Sequence, residues 1–295
     1  MKFFIKKMKS ETKNRCIVNA GMIPSVVGVF TFFILPFFVV IYYSAINNIG
    51  EKRFVFVDNY RNIIHNGAFR IAVTNTLKFT FTAVPLAVIL SMFLASLMME
   101  NLPFKSQLRT LFLTPLMVPI ASIVLIFQVL FSYNGAANDF IRIFGADRVD
   151  WLKSKYALVV IVILFLWKNL GYNMILFMSA YASVPRELLD VARLDTSSNV
   201  KLFFKVKLRY ISPTIVFVTV LSLINSFKIF REIYLLTGDY PYESLYMLQH
   251  FMNNTFQSLD YQKLSAAAVL MFDVLVLLIG VLFVIENRYG KDMEE

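Results

Sequence analysis

Cysteine, histidine and charge are all scarce in this chain. The single cysteine, Cys16, excludes an internal disulfide, and with only His65 and His250 as histidines the soft ligands are too few for a structural or catalytic zinc site. No GxxxxGKS/T phosphate loop occurs. Gly290-Lys291-Asp292 lacks both the spacing and the hydroxyl, so any ATP chemistry is expected to come from another subunit. Only 16% of the 295 residues are charged, and no internal repeat, low-complexity tract or soluble catalytic domain is evident. A basic start followed by an apolar run suggests a secretory leader, but the run is too long and lacks a small-residue cleavage site. It reads as a retained first helix.

What the chain has in abundance is apolar length. A hydrophobic content of 58% and a mean hydropathy of +0.65 point to a polytopic membrane protein of one domain. A hydrocarbon core of roughly 30 Å asks for about 20 apolar residues per helix. Such runs occur near Ile23–Ile46, Ala72–Met99, Leu111–Phe131, Leu158–Ala182, Thr214–Leu236 and Leu264–Ile285, which predicts an all-α fold of six transmembrane helices. Pro24, Pro36, Pro85, Pro115, Pro119 and Gly171 are expected kinks or packing points within them.

The formal net charge of +10 is distributed by loop and not over one folded face, which argues for membrane orientation and against nucleic acid. Lys2, Lys6, Lys7, Lys9, Lys13 and Arg15 precede the first span. Arg186, Arg193, Lys201, Lys205, Lys207 and Arg209 fill the loop 183–212. The positive-inside rule places both in the cytoplasm, and six spans put both termini there. The expected organisation is a cytoplasmic tail over 1–16, a membrane domain over 17–287 containing the loop 183–212, and a cytoplasmic tail over 288–295.

That loop carries the most specific pattern. Over Tyr181–Pro213, YASVPRELLDVARLDTSSNVKLFFKVKLRYISP, Pro185 suits the start of a short helix reaching Asp195, with Leu188, Val191, Ala192 and Leu194 facing protein. Lys201, Lys205 and Arg209 then share one face of a second helix, with Phe203 and Val206 on another. On charge alone this is a basic loop touching anionic lipid. The order of Glu187, Asp190, Ala192, Asp195, Phe203 and Pro213, however, resembles the EAA coupling loop of ABC importer permeases. Asn59, Tyr60, Phe69, Asn75 and Thr76, the stretch LRTLFLTPLMVP at 108–119, Trp151-Leu152, Trp167-Lys168, Gly171-Tyr172, LLTGDYP at 235–241 and Ser265–Ala268 extend the resemblance to sugar-type permeases, in particular the maltose-type first subunit. Departures occur at Asp190, Val191, Thr196 and Arg209, where the family usually has Glu, Ala, Gly and Pro. A β-branched Thr196 resists the positive φ of a helix-ending glycine and is expected instead to help cap the second helix.

The resemblance implies a type I ABC importer permease fold with no cofactor of its own. It implies a second homologous permease, two ATPase subunits that hold ATP and Mg, an extracellular solute-binding protein, and a bacterial or archaeal plasma membrane. It places the substrate pathway at Leu116, Ile120, Trp167, Gly171, Met174, Ser222, Asn225, Ser226 and Ile229, with Trp167 offering a stacking face and Asn225 and Ser226 hydrogen bonds. The implied cargo is an oligosaccharide or other sugar. Lys168 and Lys228 open the alternative of an anionic sugar or glycerol phosphate, and ionisable groups inside spans are in general paired or functional. The segment 242–257 reads as a helix at the membrane surface, and Arg231 and Glu232 as outer-interface residues. A membrane enzyme using Asp190, Asp195 and His65 is a remote alternative, since the six-span arrangement puts His65 on the opposite side from both aspartates.

Overall fold

The computed structural model describes residues 21–47, 53–100, 103–196 and 198–290. The expected tail 1–16 and the last part of the tail 288–295, from 291 onward, lie outside them. The described residues contain helices and no β-strand, apart from an isolated bridge between Ile46 and Phe54. By contact the chain forms two units, 1–64 with 258–272, and 65–257 with 273–295.

The first unit begins with α1, Gly21–Ser44. Its turn widens to π geometry over Phe30–Ile34, directly before Pro36, whose ring clashes with a carbonyl four residues back and which has no N–H to donate. Beyond α1, a short helix α2, Asp58–Ile64, is stapled to the end of α1 by side chains. Asn59 Nδ2 donates to the carbonyls of Ser44 and Ile46, each at 2.9 Å, and the Tyr60 hydroxyl lies 2.6 Å from Ser44 Oγ. Asn59 of the Asn-Tyr pair singled out in the sequence therefore satisfies carbonyls at the helix end, while Tyr60 engages the Ser44 hydroxyl.

The second unit contains α3 (Gly67–Met99), α4 (Lys105–Met117), α5 (Ile120–Leu130), α6 (Ala136–Ile143), α7 (Ala157–Ala182) and α8 (Arg186–Asp195). There follow a helical stretch α9 over 199–210, with a π segment at Phe203–Lys207, then α10 (Ser212–Phe227), α11 (Phe230–Thr237) and α12 (Leu248–Gln257). The last helix, α13, runs Tyr261–Gly290. Asn66 opens α3 by accepting the Phe69 N–H at 3.1 Å, a standard N-cap, and Pro85 is carried inside without a break.

The span expected as one helix over Leu111–Phe131 is two, α4 and α5, bent by 103° at Val118-Pro119. Pro119 cannot continue the ladder and pushes Val118 into extended geometry, ψ 129°, so the chain restarts there.

The core of this unit has two ends. At one, Phe79 and Ala83 of α3, Ile123 and Phe127 of α5, Val160, Ile161, Leu164 and Phe165 of α7, and Ile229, Ile233 and Leu236 pack together. At the other, Val88, Ala95 and Met98 of α3 meet Leu108 and Phe112 of α4, Phe177 and Tyr181 of α7, and Ile211 and Val218. Helices α3 and α7 are thus parallel, with Phe79 and Phe165 edge to face at 5.4 Å, while α10 runs back between the ends. Because α4 packs at one end and α5 at the other, the bent pair traverses the bundle once despite its corner.

Candidate functional site

Helices α7 and α10 are joined by a ladder of side-chain hydrogen bonds. Asn173 Nδ2 donates to Ser222 Oγ at 2.9 Å, Asn225 Nδ2 donates to Asn169 Oδ1 at 2.9 Å, and Asn169 Nδ2 donates to the Phe165 carbonyl at 2.8 Å. From α3, Thr80 reaches the Ser226 hydroxyl at 3.0 Å. Each partner is a polar group at membrane depth, where a missing hydrogen bond is costly. Next to this ladder the helix is interrupted. After Phe227 the backbone bonds tighten, Lys228 N–H to Asn225 C=O and Glu232 N–H to Ile229 C=O, before α11 begins.

The interruption opens a cavity of about 880 Å³. Leu116 and Ile120 from the bent pair form its apolar side, Asn225, Lys228, Ile229, Arg231 and Glu232 its broken-helix side, and Lys168 and Tyr172 the α7 side, with Gln249 of α12 also reaching it. Glu232 is buried and forms an ion pair with the half-buried Lys168, which ties α11 to α7, while its second oxygen has no hydrogen-bond partner among the described residues. The sequence placed Glu232 at the outer interface; in the structure it is 2% exposed and tied to Lys168.

Of the residues expected to line a solute path, Leu116, Ile120, Asn225 and Ile229 do line this cavity. Trp167, Gly171, Met174, Ser222 and Ser226 are not among its lining residues. Trp167 lies against Phe127, with ring centres 5.9 Å apart. Met174, Ser222 and Ser226 are buried in helix contacts, and the Ser226 hydroxyl is already engaged. At Gly171 an added Cβ would sit 1.9 Å from the Phe112 carbonyl oxygen, so this glycine permits close approach of α4 and α7. Tyr172, Gln249 and the Lys168–Glu232 pairing were missed because they depend on which helices meet. The one sequence signal for the pair was an acid and a base, each inside an apolar run.

Residues 239–257 form a cap over one end. Asn75 of α3 donates to the Glu243 and Tyr246 carbonyls at 2.6 and 3.2 Å, and the Leu248 N–H donates to Thr76 Oγ1 at 2.9 Å. Phe251 packs on Phe69, so α12 docks on α3. His250 is buried between Phe230 and Tyr246, accepts the Met247 N–H at Nδ1, and has no hydrogen-bond partner at Nε2 among the described residues. Burial pushes this imidazole down to about 4 against a smaller opposing pull from Asp239, and burial likewise raises the Tyr246 hydroxyl.

At the other end α8 projects with Leu188, Val191 and Leu194 exposed on one stripe, Leu194 at 87%, while Leu189 packs inward. Glu187, Asp190 and Asp195 are exposed and Ala192 is half-buried. Phe203 turns into the chain's own core against Tyr181, leaving Phe204 as the exposed aromatic. Lys201, Lys205 and Arg209 are exposed. Pro213 sits in the first turn of α10, where its missing N–H is not needed. Thr196 takes extended geometry, φ −154°, and its hydroxyl accepts the Ser198 N–H, while Ser198 accepts the Lys201 N–H. Two hydroxyls thus make the turn that a glycine makes by positive φ.

Residues 69–289 match the family described as "Binding-protein-dependent transport system inner membrane component". The trehalose/maltose transport system permease protein of Thermococcus litoralis is 28% identical over 92% of this chain and 93% of its own length. The sn-glycerol-3-phosphate transport system permease protein of Escherichia coli (strain UTI89) is also 28% identical, over 90% and 91%. Among solved structures, a chain of a bacterial ABC transporter involved in import of the acidic polysaccharide alginate superposes with a TM-score of 0.81. It is 18% identical and covers 98% of this chain and 100% of that one.

Proposed function

The chain belongs to the family of binding-protein-dependent transport system inner membrane components, is a multi-pass transport subunit and not an enzyme, and on that footing we propose that it serves as one permease subunit of an ATP-driven importer for a carbohydrate-class solute. The sugar-related cargo in the names of its relatives supports the solute class. The partners in this reading are a solute-binding protein, a second homologous permease, and two ATPase subunits that bring ATP and Mg to a chain with no phosphate loop of its own. The membrane is a bacterial or archaeal plasma membrane with both termini and the loop 183–212 in the cytoplasm.

The observation that carries the coupling role is the stripe Leu188, Val191 and Leu194. It is exposed on a charged loop, and so on the water side, where an apolar stripe calls for a protein partner. The cavity lies towards the opposite end of the unit. ATPase closure pushing on α8 is therefore transmitted through α7 and α10, which flank the loop and also build the cavity wall, so that the cavity opens alternately to each side.

Charge placed on the stripe tests this. Val191→Asp with Leu194→Asp should leave the membrane helices folded, yet abolish co-purification of the ATPase subunits and the hydrolysis stimulated by the loaded binding protein. Normal assembly and normal stimulated hydrolysis in that double variant would remove the coupling role.

A further inference from the structure

The cavity wall carries three cations, Lys168, Lys228 and Arg231, and one carboxylate, Glu232. Glu232 is taken by Lys168. Lys228 and Arg231 remain, both exposed and with no acidic partner among the described residues, three positions apart where α10 gives way to α11. They lie within Ser212–Thr237, a stretch long and apolar enough to cross a membrane. Charged groups in such a stretch are costly and mark pairing or a solute path; these two have no acidic partner among the described residues, and they line a cavity. A concave site lined by one sign of charge within low-dielectric walls concentrates its field on the space between.

Resting on the importer reading above, we propose that this cavity selects a solute bearing an anionic group, a carboxylate, phosphate or sulfonate, received by Lys228 and Arg231. Arg231 offers a planar fork for two oxygens and Lys228 a mobile point charge. Asn225 and Gln249 on the same wall supply polar groups for sugar hydroxyls, while Leu116 and Ile120 face the apolar side of the ring. The Lys168–Glu232 pair is a positioning element: it holds α11 against α7 and cancels the one carboxylate that would repel the anion.

The complete transporter, in nanodiscs and without its binding protein, is examined by equilibrium dialysis with glucose, glucuronate, glucose 6-phosphate and 6-deoxy-6-sulfoglucose. At least one anionic sugar should bind about tenfold or more tighter than glucose, a difference of roughly 1.4 kcal/mol. The preference should shrink with added salt and vanish in Lys228→Gln/Arg231→Gln, where the affinity for the anionic sugar falls to the level of glucose. The separate arms report which anion is preferred. Equal affinity for all four sugars, or a preference that survives in the double variant, overturns the proposal. Loss of assembly in the double variant with wild-type preference absent also overturns it, because the cations then serve to pair with a neighbouring subunit. The importer reading has its own readout: if no binding protein stimulates ATP hydrolysis by the wild-type complex, that reading fails whatever the charge preference.

Discussion

Gly171 shows what a single residue reveals in sequence and what it conceals. An isolated glycine in an apolar run, beside Trp167-Lys168, is legible as a special position, and the resemblance to sugar permeases placed it on the solute path. In the structure it also has a tertiary reason: the α4 backbone at Phe112 occupies the space a side chain would take. Gly171→Ala should destabilise the protein by roughly 3 kcal/mol, because backbone carbonyl and Cβ cannot both be accommodated without parting two helices. The methyl group is too small to obstruct a cavity of about 880 Å³ that Gly171 does not line. Thermal unfolding of the purified complex should therefore show the loss, and uptake per folded transporter should be near the parental value. Full stability with reduced uptake would return Gly171 to the pathway. Lys168 and Glu232 make the complementary case. Each was visible as a costly charge, but that they pair with one another follows only from the packing of α7 against α11.

At the scale of elements, the apolar runs located the long helices to within a few residues, because burial in hydrocarbon imposes length directly. The prolines marked where a helix yields but not by how much. Pro85 passes within an unbroken α3, Pro36 is met by a π turn, and Pro119 turns the chain through 103°. What distinguishes them is the neighbouring packing, which a sequence pattern does not contain. The segment 242–257 reads in sequence as a helix at the membrane surface, and the structure adds what holds it: Asn75 donates to its carbonyls and Thr76 accepts its Leu248 N–H, fixing it on α3. Its buried His250 carries a pH consequence. The folded imidazole stays neutral down to about 4, whereas the unfolded group takes its proton near 6.5. Between those values the unfolded state binds more protons, so stability is fully present above pH 6.5 and falls as the pH drops towards 4, by on the order of 3 kcal/mol at the limit. His250→Asn retains an acceptor for the Met247 N–H and does not titrate. It should flatten the difference in melting temperature between pH 7 and pH 4.5, and an unchanged difference would assign the acid sensitivity to other groups.

The whole molecule was legible as a crossing pattern before any contact was known, and the two-ended core gives that pattern a physical check. Helices α3 and α7 are parallel, with α4 and α5 between them in sequence, so the chain must return across the bundle once between them. The bent pair does so. Helix α10 then returns the chain towards the cap, which leaves the loop 183–212 and the cap 239–257 at opposite ends of the unit. In the proposed orientation, which rests on its basic residues, that loop is cytoplasmic. Single cysteines in a Cys16→Ser background test the assignment at positions exposed in the structure: Tyr240, 79% exposed, in the cap, Lys201 in the loop, and Asn287 near the end of α13. An impermeant maleimide applied to intact cells should label Tyr240→Cys alone, and permeabilisation should add labelling at Lys201→Cys and Asn287→Cys. Labelling of Lys201→Cys in intact cells would invert the orientation and with it the direction of transport. Labelling of Tyr240→Cys and Asn287→Cys together would mean that the last helix does not cross, which would break the six-span parity on which the cytoplasmic placement of both termini depends.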